Sequence, residues 1–132
     1  AEFATLNANY LMTRLRAAGF QVAYPARRAS HEFIISLKQE AKELGCNAMD
    51  FAKRLLDYGY HAPTMSFPVP GTIMIEPTES ECLEDLDRFV DVVRRITMEA
   101  MEQPELLKNA PQRFKVKRLD ETRAARQPCL CG

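Results

Sequence analysis

Residues 55–81 read LLDYGYHAPTMSFPVPGTIMIEPTESE, and this stretch decides the fold of the chain. It contains the end of an amphipathic helix at Gly59, a segment interrupted by prolines, and an apolar strand over Gly71–Glu76. Thr78 and Glu81 have the spacing of a capping box, which predicts that a long helix starts there. A helix, a short edge strand, a full strand and a second helix therefore follow one another within this one stretch.

The remaining elements are predicted from apolar spacing and from glycines that end helices. Upstream they are a helix over Phe3–Ala18, strands over Phe20–Tyr24 and His31–Leu37, a short polar helix over Lys38–Leu44, and a helix that starts after Asn47. Downstream they are a long helix with an apolar face over residues 83–101, a short helical piece between Pro104 and Pro111, and an extended tail.

This order of helices and strands predicts an α/β (α+β) fold with two layers, in which an antiparallel or mixed sheet carries helices on one face. We assign residues 1–103 to a small α/β domain and residues 104–132 to the short helical piece and the C-terminal tail. The length of 132 residues suits a single core, and we expect no membrane-spanning helix because no apolar run approaches the ~20 residues that a span requires.

Charge is balanced overall, with 18 basic and 18 acidic residues, so the composition predicts neither a nucleic-acid partner nor a membrane partner. It is distributed unevenly, however. Residues 113–126 contain six basic and two acidic residues, a net charge of +4, so residues 1–112 carry −4. A solvated tail, a tail that docks on a partner, and a tail that binds phosphate groups are all open interpretations.

The residues that commonly carry chemistry are few and scattered. His31 and His61 do not form a metal-binding pattern, and the position of His61 just after a helix favours a structural role. The five glycines form no phosphate-binding loop. Cys129 and Cys131 lack the spacing of a zinc ribbon, and we interpret all four cysteines as reduced thiols of a cytosolic protein, with pairing of these two left open. We therefore expect no catalytic, cofactor-binding or metal-binding residue in this chain.

Six runs of the sequence agree in order and spacing with one enzyme family. They are Asn7–Leu11, His31–Ile34, Ala52–Thr64, Met74–Ser80, Pro104–Pro111 and Arg118–Arg126. The first four resemble the C-terminal end of the glycine cleavage system P-proteins, the glycine dehydrogenases (decarboxylating). The last two are similar to the end of the separate second subunit found in bacterial two-subunit versions of that enzyme.

The resemblance implies a fold-type-I enzyme that uses pyridoxal phosphate to decarboxylate glycine and passes the aminomethyl group to the lipoyl arm of H-protein. It implies that this chain is the small C-terminal domain, a piece of a longer protein that is inactive alone, because none of its six lysines follows a histidine as the family's cofactor lysine does. His61 and Thr64 are our candidates for neighbours of the active-site cleft.

The partners that the resemblance implies are the large domain that binds pyridoxal phosphate, the other P-protein subunit and the lipoyl-bearing H-protein. The expected location is the cytoplasm of a bacterium or the mitochondrion of a eukaryote. The alternative is a free-standing α/β module for protein interaction or regulation. A domain taken from the larger enzyme should expose apolar side chains on its first helix and sheet edge, where the large domain packs.

Overall fold

The computed structural model describes residues 1–129 of the chain. Its elements are, in chain order, α1 (Glu2–Ala17), β1 (Gln21–Val22), β2 (Phe33–Ser36), α2 (Lys38–Leu44), α3 (Ala48–Asp57), β3 (Thr64–Met65), β4 (Thr72–Ile75), α4 (Leu83–Glu102), α5 (Glu105–Lys108) and α6 (Glu121–Arg126). The strands form one sheet in the order β1-β2-β4-β3, and every neighbouring pair is antiparallel. The predicted α+β fold is confirmed, and the sheet is antiparallel rather than mixed.

The two central strands separate a buried face of the sheet from an outer one. Phe33 pairs with Ile75 and Ile35 pairs with Ile73, and all four side chains belong to the core that the helices cover. The helical side of this core consists of Ala8, Leu11 and Leu15 from α1, Phe51 and Leu55 from α3, and Leu86, Val90, Val93 and Ile96 from α4. Because side chains alternate along a strand, the pairing of β2 with β4 directs one complete apolar set towards the helices.

Local signals set the boundaries of α3 as the sequence predicts. The Asn47 side chain accepts a hydrogen bond from the backbone N–H of Asp50 at 3.0 Å, and the Asp50 side chain accepts one from the backbone N–H of Asn47 at 2.9 Å. These reciprocal bonds satisfy donors that a helix start leaves unpaired. At the other end, Gly59 has φ +86°, a left-handed conformation that favours glycine.

The predicted capping box at Thr78 and Glu81 is wrong, because α4 begins only at Leu83, after Cys82. The Thr78 hydroxyl is instead 2.9 Å from the Ser80 hydroxyl. The backbone carbonyls of Thr78 and Glu81 accept hydrogen bonds from the Asn7 side chain at 2.9 and 3.2 Å. This contact with α1 holds residues 78–81 in a turn, so the helix starts at Leu83, two residues after Glu81, with Cys82 as its N-cap.

Two further predictions need correction. The strand expected over Phe20–Tyr24 shortens to β1, since the chain already turns at Tyr24, whose carbonyl accepts a hydrogen bond from the backbone of Arg27 at 3.2 Å. The tail is not extended throughout, because it contains α6. The Asp120 side chain caps this helix by accepting a hydrogen bond from the backbone N–H of Arg123 at 2.9 Å.

Three further expectations concern membrane-spanning helices, the C-terminal cysteines and the domain boundary. Every helix within residues 1–129 is too short or too polar to cross a membrane. Cys131 lies outside the described residues. Leu107 of α5 is 0% exposed and belongs to the same core as α3 and α4. The division of the chain at residue 103 stays a prediction.

Candidate functional site

A groove of about 750 Å³ lies between the C-terminal end of α3, the strands β3 and β4, and the N-terminal end of α4. Its apolar walls include Leu11, Leu86 and Phe89. The structure brings both sequence-predicted site residues to this groove, because His61 and Thr64 line it with exposed side chains. Their proximity to an active-site cleft stays a prediction.

The end of α3 positions the segment that contains these two residues. The backbone N–H of Gly59 donates to the carbonyl of Leu56 at 2.9 Å, and that of Tyr60 donates to the carbonyl of Leu55 at 3.0 Å. These two bonds form a Schellman motif, which turns the chain sharply away from the helix. The Tyr60 ring then packs edge-on against Phe89, with centroids 5.2 Å apart. The contact between Tyr60 and Phe89 therefore holds the start of the segment that contains His61 and Thr64 against α4.

The rim of the groove is acidic. Glu76, Glu81 and Asp85 contribute carboxylates to it, and Arg88 contributes a guanidinium group that lies 3.4 Å from the Asp85 carboxylate. Both members of this pair are largely exposed, so the attraction between them is weak. Burial raises the pKa of the Tyr60 phenol, which therefore stays neutral at the groove. The groove thus suits an apolar group that carries a neutral or positively charged end.

The groove does not have the composition of a complete catalytic centre. Its polar groups comprise one imidazole, carboxylates, tyrosine and threonine hydroxyls and one guanidinium. Over residues 1–129, no three histidine, cysteine, aspartate or glutamate side chains are grouped as metal ligands. The groups present are able to position a ligand by hydrogen bonding, but no nucleophile with an adjacent base lines the groove.

Pyridoxal phosphate, the cofactor that the resemblance implies, does not fit the residues of this chain. The cofactor requires an enclosed lysine that forms a Schiff base, together with groups that bind its phosphate. All six lysines lie within the described residues, and none of them lines the groove. Only Lys53 is half-buried. The exposed lysines are Lys38, Lys42, Lys108, Lys115 and Lys117.

An ionic cluster that the sequence did not reveal includes Tyr58, which also lines the groove. Arg54 on α3 donates to both carboxylate oxygens of Glu99 on α4, at 2.8 and 3.2 Å, and Tyr58 also donates to Glu99. Burial disfavours the charge on Glu99, but the hydrogen bonds from Arg54 and Tyr58 outweigh it and hold the pKa of this carboxyl below its usual range. The cluster ties the C-terminal half of α3 to the C-terminal half of α4.

Comparison with known proteins identifies the family. A family model described as "Glycine dehydrogenase, C-terminal domain" matches residues 1–114. The probable glycine dehydrogenase (decarboxylating) subunit 2 of Thiobacillus denitrificans is 60% identical over 129 residues, which cover 96% of this chain and 27% of the relative. The proteins of the same name from Methylococcus capsulatus and Legionella pneumophila (strain Paris) are 60% and 57% identical, over 98% and 96% of the chain.

The chain spans about a quarter of the length of these relatives, 27% in each case. The family match covers most of the chain, and it includes every element that forms the groove. The chain therefore belongs to the glycine dehydrogenase C-terminal domain family.

Proposed function

We propose that this chain is the C-terminal domain of subunit 2 of a pyridoxal phosphate-dependent glycine dehydrogenase (decarboxylating), the P-protein of the glycine cleavage system. The observation that carries the proposal is the family match over residues 1–114, together with 60% identity to relatives named as subunit 2. This agreement over most of the chain disfavours the free-standing interaction module. The whole enzyme would decarboxylate glycine and pass the aminomethyl group to the lipoyl arm of H-protein.

The cofactor would be held by the rest of the enzyme, because the lysines of this chain do not fit a Schiff-base site. The large cofactor-binding domain would pack against exposed apolar side chains of this domain. Phe3 and Leu6 on α1 are 67% and 62% exposed, which supports a packing partner at that helix. The chain alone would then be inactive, and the complete enzyme would act in the bacterial cytoplasm, or in the mitochondrion if the source is eukaryotic.

The role of this domain would be to cover the active site and to form one wall of the passage for the lipoyl arm. The groove supports this role because it joins an apolar surface to polar side chains at its mouth. His61 and Thr64 would lie at the edge of the cleft. The Schellman motif and the contact between Tyr60 and Phe89 would hold their segment in place without occupying either side chain.

The test uses full-length subunit 2 with its companion subunit, pyridoxal phosphate and H-protein, and measures exchange of the glycine carboxyl group with labelled bicarbonate. We expect the wild-type assembly to be active. We expect kcat/KM for H-protein to be about tenfold lower in the His61→Ala and Thr64→Val variants, because displaced groups at a reaction site cost about this much or more. His31→Ala and Thr13→Val are matched controls, since neither residue lines the groove.

The possible failures are separable. A wild-type assembly that exchanges no carbon dioxide contradicts the assigned reaction. An active assembly in which His61→Ala and Thr64→Val behave like their controls contradicts only the position of these residues. Mixing the 132-residue chain with pyridoxal phosphate should give no specific, stoichiometric absorbance of a lysine Schiff base, and a stoichiometric one would contradict the assignment of the cofactor to the rest of the enzyme.

A further inference from the structure

The segment after Pro111 is tied to α3 by a buried carboxylate. Asp57, which is 3% exposed, accepts hydrogen bonds from the backbone N–H groups of Gln112, at 2.7 and 2.9 Å, and Arg113, at 2.9 Å. The same carboxylate also accepts from Arg54 at 3.1 Å. Hydrogen bonds to a buried charge are strong, so they fix the direction in which the chain leaves the domain.

The end of this segment, at Lys117 and Arg118, contacts the residues just before and at its start. Arg118 pairs with the buried Asp50 at 2.7 Å and donates to the carbonyls of Ala110, at 2.9 Å, and Leu107, at 2.7 Å. Lys117 donates to the carbonyl of Gln112 at 2.8 Å and to that of the preceding proline at 3.1 Å. Residues 112–118 therefore form a loop that is closed at its base, which we call the clamped loop.

The clamped loop is held by these polar contacts and not by burial of its own side chains. Every residue from 112 to 118 is exposed. Phe114 and Val116 are 48% and 65% exposed, and Leu119 just beyond the loop is 66% exposed. Ordering a chain segment costs conformational entropy, and apolar side chains that stay about half-exposed or more offset only part of that cost by burial. The clamp therefore presents apolar side chains in a fixed arrangement, which lowers the entropic cost of binding a partner.

Charge indicates the chemistry of that partner. Residues 113–126 carry a net charge of +4, with Arg113 and Lys115 beside the apolar side chains of the loop. The complementary surface is an apolar groove bordered by carboxylates. The comparisons favour the companion subunit as the partner, because the family match ends at residue 114, within this loop, while the alignments with relatives named as subunit 2 extend over 129 to 132 residues. The clamped loop thus belongs to a segment that the chain shares with proteins named as one subunit of an enzyme.

We propose that the clamped loop docks Phe114 and Val116 into an apolar, carboxylate-bordered groove of the companion subunit, with Lys115 pairing with a carboxylate of its border. This inference rests on the proposed function, in which the chain belongs to subunit 2 of a two-subunit enzyme. The domain groove that contains His61 is a separate surface, lined by none of the residues of the clamped loop.

The test measures the dissociation constant between full-length subunit 2 and the companion subunit of the same organism, by analytical ultracentrifugation. We expect the Phe114→Ser/Val116→Ser variant to bind at least about tenfold more weakly, because central apolar contacts dominate interface affinity. Lys115→Glu should also weaken binding and should reduce its dependence on salt. The control is Met98→Ser/Met101→Ser, which removes two side chains of α4 that are 58% and 67% exposed.

Several results would overturn the inference. They are an unchanged dissociation constant in both loop variants, an equal loss of binding in the methionine control, a loss of subunit 2 self-association instead of companion binding, and a steeply salt-dependent affinity for nucleic acid that the loop variants abolish. If wild-type subunits neither associate nor decarboxylate glycine, the proposed function fails and the inference fails with it. If they associate and are active but the loop variants bind normally, only the inference fails.

Discussion

Substitution of Asp57 by asparagine tests the central contact of the clamped loop. The change preserves the shape of the side chain but removes its charge and replaces one acceptor oxygen with a donor NH₂ group. Asp57 lies 3% exposed at the end of α3, where its two oxygens accept from the backbone of Gln112 and Arg113 and from the Arg54 guanidinium. An asparagine can accept from these donors with one oxygen only, and its NH₂ group faces another donor.

The expected loss follows from the bonds that break. A hydrogen bond to a charged group contributes about 1.5–3 kcal/mol, and breaking a buried ion pair costs about 3–5 kcal/mol. The guanidinium of Arg54 remains paired with Glu99, so the full ion-pair penalty does not apply. We therefore expect Asp57→Asn to lower the free energy of unfolding by about 2–4 kcal/mol, a large part of the ~5–15 kcal/mol typical of a domain.

Urea denaturation of the 132-residue chain measures this loss, and hydrogen exchange locates it. The backbone amides of Gln112 and Arg113 should lose protection against exchange in Asp57→Asn. The amides in the middle of α4 should still exchange only through global unfolding, so their protection should fall by no more than the loss in the free energy of unfolding. Asp91→Asn, at an exposed position of α4, is the control and should change stability by less than about 0.5 kcal/mol. An unchanged urea midpoint with full protection at residues 112 and 113 would refute the assignment of the clamp to Asp57.

Other substitutions test the ionic cluster and the turns. The pKa of Glu99 is lower in the folded chain than in the unfolded one, so its carboxylate stabilises the fold above the unfolded pKa, and this contribution is lost as the pH falls through the folded value. Glu99→Gln should therefore lower stability at pH 7 by about 1–3 kcal/mol, because Arg54 keeps only Asp57 as a carboxylate partner. It should also flatten the decline in urea midpoint between pH 7 and 3, because the titrating carboxyl is removed; an unchanged decline would contradict this. Gly59→Ala should cost about 1–2 kcal/mol through backbone conformation alone, because no atom lies within 4 Å of the added Cβ. Gly71→Ala should cost at least as much in the same assay, because its Cβ would also meet Lys38 Cγ at 3.0 Å, and a smaller loss than at Gly59 would count against this reasoning.

The accuracy of the sequence predictions follows the range of the interactions involved. The capping box at Asn47 and Asp50 was predictable in part because Asn47 is a favoured N-cap and the partners are three residues apart. The similar spacing of Thr78 and Glu81 misled because Asn7, more than seventy residues away, binds the carbonyls of that turn. Nothing within the local sequence reports such a contact.

The buried and half-buried charges on α3 and α4 show the same limit. Asp50 and Asp57 are spaced by two helical turns on α3, and this spacing places both carboxylates on one side of the helix. That signal indicates a shared face, but it does not indicate that Arg118 and the backbone of Gln112 meet it there. Glu99 lies on a helix rich in charge, and only the packing of α4 against α3 distinguishes it from the exposed residues around it.

The sequence by itself determined the fold class, most of the helices and strands, and the family. Periodicity, caps and glycines act over three or four residues, and a family resemblance is read from the order of residues alone. The tertiary structure decided the strand order β1-β2-β4-β3, the groove that joins His61 and Thr64 to the acidic start of α4, and the clamp on residues 112–118. These features depend on contacts between residues far apart in the chain, whose geometry is set only when the shared core is packed.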